Sequence, residues 1–329
     1  MRGAAGALVV SLAALAAATA CGGTATSPRA AAFRIAGDAI LTIEGGQSAA
    51  LQVEEAGRNQ NPAQYQWTTS DPSIVTVSAE GVVRAAAGYG EATVMAAAAT
   101  GETASVRIWV QYPESRPSTY RITFVFAADV HPLWREAYAW AGERWAQVIR
   151  AELPAFDLTN HSPCRFPPDI PPIAGLETGT RIVVLNHKTS NSGGPCTRRT
   201  VPRPTTALGV VEASHGASID FDSPFTNLRG VAIHEIGHVL GLAGITASAN
   251  GSPPWYDQQS MRYTGVFALE GYRRRVGASV THLEARPGEW HWRGISPEVM
   301  TSPSAGISTI SVGALMDIGY PAAWYGAQN

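Results

Sequence analysis

Lysine is almost absent from this chain of 329 residues, and charge of either sign is scarce. Lys188 is the only lysine, charged residues make up 15% of the sequence, and the formal net charge is −2. Because the net charge gives no sign of a basic surface, we do not expect a nucleic acid as a partner. Hydrophobic residues account for 45% of the chain, which is enough to fill the cores of two domains.

A long hydrophobic run is also missing. The apolar stretch at residues 4–20 follows Arg2, and it is too short and too rich in alanine to span a membrane comfortably. We therefore interpret residues 1–21 as an export signal. It ends in Ala18-Thr19-Ala20-Cys21, which resembles a bacterial lipobox whose cysteine is lipidated, and residues 22–32 would be a tether. The expected location is the cell envelope, with membrane contact only through this anchor, or the medium if the signal is simply cleaved.

Cysteine is the third scarce residue, with three in the chain. Once Cys21 is assigned to the lipid anchor, Cys164 and Cys196 remain as an even pair in an oxidising compartment. We predict a disulfide between them, and two free buried thiols are the alternative. No C-x-x-C pair is present in the sequence, so cysteine ligands to zinc are not expected.

Short apolar runs separated by turn signals fill residues 33–111, and their regular spacing predicts a small antiparallel β-sandwich. Within it, the segment WTTSDPSIVTVSAEGVVRAAAGYGEATVMA (Trp67–Ala96) resembles the bacterial Ig-like domain, group 2. That resemblance implies a surface module, either a spacer, a wall-associated domain or an adhesive unit. The core positions that it implies are Trp67, Ile74, Val77, Val82 and Val94.

Residues 112–119 contain prolines and no apolar period, and we interpret them as a linker to a second domain at residues 120–329. A helix is expected to begin at His131-Pro132, because proline suits the first helical turn. Its apolar face, expected to lie in the core, consists of Trp134, Tyr138, Ala141, Trp145 and Val148. Residues 186–203 are predicted to be a polar loop. The predicted strands of this α+β domain are residues 121–127, 181–185, 207–211 and 217–221. A further helix is predicted near residues 266–275.

One stretch carries the chemistry of the second domain, VAIHEIGHVLGL (Val231–Leu242). On a helix, His234 and His238 lie four residues apart on one face, so both imidazoles can reach a single ion. Glu235 lies beside them, where a carboxylate can act as general base. The alternative is that both histidines are core residues with internal hydrogen bonds.

Catalytic zinc usually takes three protein ligands, so a third ligand must be found. In the compact metzincin pattern it comes six residues after the second histidine, but that position is Gly244 here. Gly241 still suits a sharp turn out of the helix. The third ligand must therefore come from further along the chain.

The motifs downstream resemble those of the leishmanolysin family of metzincin zinc proteases. His291-Trp292 fits the displaced third histidine of that family, and Glu298-Val299-Met300 fits its Met-turn, in which the methionine lies beneath the ligands. The segments Thr264–Tyr272 and Ser308–Tyr320 fit two more of its motifs. The resemblance implies a metzincin-type zinc protease domain in which His291 is the third ligand.

The sequence also contains other candidates for the third zinc ligand. His282 and Glu284, in the segment THLE, compete with His291, although they lack the tryptophan and the downstream methionine. A glutamate ligand of the gluzincin kind would need a helical E-x-x-x-D downstream, and none stands out.

The resemblance implies one Zn²⁺ as cofactor, protein or peptide substrates, and a zinc endopeptidase in which Glu235 takes a proton from a zinc-activated water. By the same analogy an edge strand aligns the substrate, and Ala207–Val211 is the candidate. We expect a monomer. The alternative function is a cell-surface adhesin or binding module whose protease domain is vestigial.

Overall fold

The structure is a computed structural model. It describes residues 33–159, 164–187, 190–199, 204–214, 226–242, 255–257, 259–285, 291–301 and 306–327. The predicted signal, the lipobox with Cys21, the tether and the strand predicted at residues 217–221 lie outside the described residues. Among the helices that the structure describes, none combines the length and the apolar character needed to cross a membrane.

The N-terminal domain is a sandwich of short strands. A four-stranded sheet has the order β2-β10-β9-β6, and two three-stranded sheets have the orders β3-β8-β7 and β1-β4-β5. The strands are β1 (Phe33–Ile35), β2 (Ile40–Glu44), β3 (Ser48–Ala50), β4 (Val53–Glu55), β5 (Arg58–Gln60), β6 (Gln66–Thr69), β7 (Val75–Val77), β8 (Val82–Ala85), β9 (Gly90–Ala97) and β10 (Thr103–Gln111).

The sandwich departs from the wholly antiparallel one that we predicted. Strands β2 and β10 pair in parallel, while the other pairs are antiparallel. No hairpin joins β2 to β10, which come from opposite ends of the domain, so nothing local forces them to run in opposite directions.

The core of the sandwich confirms some of the predicted positions and shifts one. Val94 is fully buried. Trp67, Ile74 and Val77 are partly buried at its margin. The prediction for Val82 is wrong, because its side chain is 39% exposed while that of Val83 is fully buried. Side chains on a strand alternate between the two faces, so an error of one residue exchanges the inside for the outside.

The second domain surrounds a four-stranded sheet in the order β11-β14-β16-β15. Strands β11, β14 and β16 are parallel, and β15 pairs antiparallel with β16 at the edge. Its elements are β11 (Ile122–Phe126), α1 (Pro132–Val148), β12 (Phe156–Asp157), β13 (Leu176–Glu177), β14 (Thr180–His187), β15 (Ser192–Arg198), β16 (Thr206–Ser214), α2 (Thr226–Leu240), β17 (Tyr256–Asp257), β18 (Arg262–Tyr263), α3 (Val266–Val276), β19 (Leu283–Glu284) and α4 (Thr309–Ile318).

Two predictions about this sheet are wrong. Residues 186–203 are not a loop, because β15 occupies Ser192–Arg198. Residues 207–211 are not an edge strand, because β16 lies between β14 and β15. The sequence SGGPCTR of β15 has no apolar alternation, and this composition hid the strand.

Two restraints hold β15 near its C-terminal end. Cys196 forms the predicted disulfide with Cys164, with a Cα–Cα distance of 5.9 Å. Arg199, only 2% exposed, follows the strand, and its guanidinium donates hydrogen bonds to four main-chain carbonyl groups. These carbonyls belong to Pro154, Glu177, Gly179 and Thr206.

Helix α1 confirms its predicted start and its predicted face. His131 caps it, and its side chain accepts a hydrogen bond from the main-chain N–H of Leu133. The indole of Trp145, fully buried, donates to the carbonyl of Ile233 at 2.8 Å and so ties α1 to α2. The predicted apolar face is buried throughout, at Trp134, Tyr138, Ala141, Trp145 and Val148.

Helices α3 and α4 interlock through an acidic side chain. Gly265, the N-cap of α3, offers no side chain to the free amides of the first turn. Asp317 of α4 replaces it, because its carboxylate accepts hydrogen bonds from the amides of Phe267 and Ala268 at 3.0 Å each. A negative charge at a helix N-terminus is favourable, so this contact joins the two predicted motif segments.

The two domains meet along an interdomain seam that we define by Trp109, Phe267, Thr42 and Trp324. Trp109, 3% exposed, points away from the core of the sandwich, and its ring lies 4.8 Å from that of Phe267 in an edge-on arrangement. The indole N–H of Trp324 donates to Thr42 at 3.1 Å. Strand β10 is therefore buried on both faces near its end, and the domains are packed together as well as connected by the linker.

Candidate metal centre

Three imidazoles converge at the C-terminal part of α2. The Nε2 atom of His234 lies 3.0 Å from Nε2 of His291 and 3.2 Å from Nε2 of His238. The ligand atoms of the three histidines all lie within 4.8 Å of one another, and among the described residues this is the group suited to hold a metal ion. His234 and His238 come from adjacent turns of α2, while His291 comes from a separate segment of chain 53 residues beyond His238.

The two separations measured from Nε2 of His234 are close to those expected around a zinc ion. A tetrahedral ion with Zn–N bonds of about 2.0–2.1 Å places its ligand nitrogens about 3.3 Å apart. Burial lowers the pKa of His234 to about 4 and that of His238 to about 3. Both rings are therefore neutral near pH 7, which is the form that binds a metal.

The ring of His234 is oriented from its far side. Its Nδ1 atom lies 2.5 Å from the main-chain carbonyl of Val299, so a proton on Nδ1 can be donated to that oxygen. This tautomer leaves Nε2 unprotonated and directed at the other two histidines. The carbonyl of Val299 was not predicted from the sequence, because it acts through its backbone and its side chain carries no signal.

Glu235 lies beside the histidines and is almost fully buried, with 6% exposure. Burial raises the pKa of its carboxyl to about 7. A carboxyl with a pKa near neutrality is well matched to accept and return a proton at physiological pH. The buried environment of Glu235 therefore suits the general base predicted at this position, and the role itself stays a prediction.

Met300 is fully buried and lies against helix α2. A Cβ atom added to Gly237 of α2 would lie 2.5 Å from the sulfur of Met300, so a larger residue at this position would require the methionine side chain to shift. The structure therefore places Met300 against α2 between His234 and His238, and its role beneath the ligands stays a prediction.

A buried carboxylate fixes the segment that carries Met300. Glu298, fully buried, accepts hydrogen bonds from the main-chain N–H of Met300 at 2.5 Å and from the hydroxyl of Ser308 at 3.0 Å, as well as from Ser311. Ser308 caps α4, so Glu298 connects the segment that carries Met300 to the start of that helix. Glu298 belongs to a predicted motif, but nothing in the sequence around it indicates this role.

Helix α2 ends as predicted at a glycine. Gly241 has φ +98, a left-handed conformation that glycine adopts without strain. Its N–H donates to the carbonyl of His238 at 3.0 Å, and that of Leu242 donates to Gly237 at 2.9 Å. This pair of bonds is the Schellman motif, and it turns the chain away just after the second histidine.

The competing ligands stay apart from this centre. His282 and Glu284 do not belong to the histidine group, and Glu284 lies in β19 with its carboxylate 3.6 Å from the guanidinium of Arg293.

Trp292 holds the segment that carries its neighbour His291 in place. Its fully buried ring packs edge-on to that of Tyr263, with 5.2 Å between the centroids, and anchors the segment in the core.

Residues 34–108 match the family described as Bacterial Ig-like domain (group 2). This region is a bacterial Ig-like domain of group 2. No curated protein matches the chain. The Ig-like domain contributes no residue to the histidine group.

Solved structures similar to part of the chain include intimin, invasin and a xylanase. A mutant of intimin from EHEC O157:H7 is 23% identical over 23% of this chain and 42% of its own, with a TM-score of 0.17. Invasin, a bacterial integrin-binding protein, is 25% identical over 24% of this chain and 17% of its own, with a TM-score of 0.19. A bacterial Ig-like domain containing GH10 xylanase from termite gut is 19% identical over 29% of this chain and 26% of its own, with a TM-score of 0.16.

The chain thus spans less than half the length of each of these three proteins. At such TM-scores the likenesses carry no argument about what this chain binds or catalyses.

Proposed function

We propose that residues 120–329 are a zinc-dependent endopeptidase domain of the metzincin type that hydrolyses peptide bonds of extracellular proteins. The observation that carries the proposal is the convergence of His234, His238 and His291 on one point, with Glu235 beside them. The leishmanolysin-like order of motifs supports it. So does the buried Met300 beneath α2.

Each residue then has a defined task. The three histidines would hold the ion, and the ion would supply a water of lowered pKa together with polarisation of the scissile carbonyl. Glu235 accepts a proton from the attacking water and returns it to the leaving amine. The carbonyl of Val299 keeps His234 in the metal-binding tautomer.

Strand β15 is the element that would align a substrate. It lies at the edge of the four-stranded sheet, and it packs against the helix that carries Glu235. An extended peptide can add to such an edge through main-chain hydrogen bonds. Strand β15 therefore takes the place of the predicted candidate at residues 207–211.

The test uses the full chain and two matched pairs of variants. His291→Ala is expected to lose zinc and peptide hydrolysis, while His282→Ala keeps both. Glu235→Gln is expected to keep zinc and to lose about 10²–10⁴-fold in kcat, while Glu284→Gln stays near the wild-type value. Zinc is measured by metal analysis and activity by cleavage of casein and of a peptide library. Near-normal hydrolysis by Glu235→Gln would remove the mechanism.

A second candidate is a cell-surface binding module, and the Ig-like domain at residues 34–108 favours it. In this case a protein partner would bind the chain whether or not Glu235 is present. Equal binding of a candidate partner by the wild type and Glu235→Gln, together with no hydrolysis by either, would favour the second function over the first.

A further inference from the structure

Two adjacent glycines of β15 have different surroundings. A Cβ atom added to Gly193 would lie 2.4 Å from the main-chain oxygen of Glu235 and 3.2 Å from its carboxylate oxygen Oε2. A Cβ atom added to Gly194 would meet nothing within 4 Å. Neither glycine has a left-handed φ, so the backbone of both positions is open to any residue. The need for glycine at position 193 is therefore a need for space, and Glu235 imposes it.

The sheet beside this contact shows the same close approach. Gly193 pairs with Val211 and Pro195 pairs with Gly209. Side chains two residues apart share one face of a strand, so Gly193 and Gly209 both face α2. A Cβ atom on Gly209 would lie 2.3 Å from a methyl group of Val239. Helix α2 thus rests on the backbone of β15 and β16 at two glycines.

We propose that Gly193 is a positioning residue for Glu235, because it sets the separation between the carboxylate and the edge strand. This inference rests on the proposed function. A peptide added along β15 would lie at a fixed distance from the carboxylate of Glu235, because van der Waals contact at Gly193 fixes how closely α2 approaches the strand. A methyl group at position 193 must displace either the turn of α2 that carries Glu235 or the strand itself.

The metal ligands have supports of their own. Val299 orients His234 through its carbonyl, and Met300 lies against Gly237. We therefore expect Gly193→Ala to misplace the base more than it disturbs zinc binding. A displacement of about 1 Å at a catalytic group can lower the rate by about 10²-fold.

The experiment compares Gly193→Ala with Gly194→Ala in the zinc-loaded full chain, on one peptide substrate. Gly193→Ala is expected to keep one zinc per chain and to lose about 10²-fold in kcat, with a smaller change in KM. Gly194→Ala, which adds the same methyl group to the same strand, is expected to retain a kcat at least tenfold higher than that of Gly193→Ala.

A double-mutant cycle separates positioning from general damage. If Gly193 acts through Glu235, then Gly193→Ala adds little to the loss already caused by Glu235→Gln. Independent, multiplied losses would overturn the inference. If Gly193→Ala does not fold, Glu235→Asp supplies the test, because it keeps the carboxylate and shortens its reach. A fall of at least tenfold in kcat is then expected, and wild-type kcat would overturn the inference.

The outcomes also distinguish this inference from the proposed function. A zinc-loaded wild type that cleaves no peptide would overturn both. An active wild type with equal kcat in the two glycine variants would overturn the role of Gly193 alone.

Discussion

Trp109 offers the strongest test of the interdomain seam. Its neighbours on β10, Ile108 and Val110, belong to the core of the Ig-like domain, whereas Trp109 belongs to the core of the second domain. Trp109→Ala would therefore weaken the packing between the domains and leave the inward face of β10 unchanged. We expect it to destabilise the whole chain.

The size of the effect follows from burial. A tryptophan buries about 150–250 Å², which at about 25 cal/mol per Å² corresponds to about 4–6 kcal/mol. The indole N–H of Trp109 has no hydrogen-bond partner within the part of the chain that the structure describes. Burying this unpaired N–H costs about 1–3 kcal/mol, and the substitution removes that cost. The expected loss is therefore about 3 kcal/mol, at the lower end of the range for Trp→Ala in cores.

The assay is denaturant unfolding of the full chain, followed by circular dichroism and tryptophan fluorescence. Ser105→Ala is the matched control, because Ser105 is exposed on the same strand, and its effect should stay within about 0.5 kcal/mol. If Trp109→Ala stays within that range too, the seam contributes nothing measurable and the domains are stable independently of each other.

Two further predictions concern buried groups away from the histidines. Burial raises the pKa of the Glu298 carboxyl, although Ser311, the amide of Met300, Ser308 and Arg275 act to lower it. The contribution of Glu298 to the free energy of unfolding is therefore fullest below the unfolded pKa of about 4.3, and it declines as pH rises through the folded pKa. Unfolding of the metal-free chain should therefore show that the stability of the wild type relative to Glu298→Gln is greater at acid pH than at alkaline pH, and a difference independent of pH would contradict this. The disulfide closes a loop of 32 residues, so the double variant Cys164→Ser/Cys196→Ser should lose about 3–4 kcal/mol of the free energy of unfolding. A reductant should lower the stability of the wild type and leave that of the double variant unchanged. A loss below about 1 kcal/mol would show that the bond contributes little to stability.

The sequence predicts best where the signal is local and periodic. The face of α1 from Trp134 to Val148 follows the helical period, and Gly241 ends α2 at the position where a left-handed residue is required. The pairing of Cys164 with Cys196 followed from cysteine number and compartment. His291 was reached only through a motif, since no local rule links it to a helix more than fifty residues earlier in the chain.

Contacts between distant elements were not predictable in the same way. Strand β15 lacks apolar alternation because α2 lies so close to it that Gly193 has no room for a side chain. Asp317 accepts a hydrogen bond from an amide in the first turn of α3, and Glu298 accepts one from Ser308 at the start of α4. The sequence around these two acidic residues does not indicate their partners. The exchange of Val82 and Val83 is an error of register, which the alternation of a short strand does not fix alone.

The outward-facing Trp109 limits how the Ig-like domain can meet another molecule. Part of the outer face of the β2-β10-β9-β6 sheet is covered by α3, so a receptor that recognised this module would have to bind the uncovered part of that sheet, the opposite sheet, where Val82 is 39% exposed, or a rim. If the Ig-like domain binds a protein and the second domain hydrolyses peptide bonds, the seam holds the two sites in one fixed orientation. The protein bound by the Ig-like domain would then constrain which peptide bonds the second domain can reach.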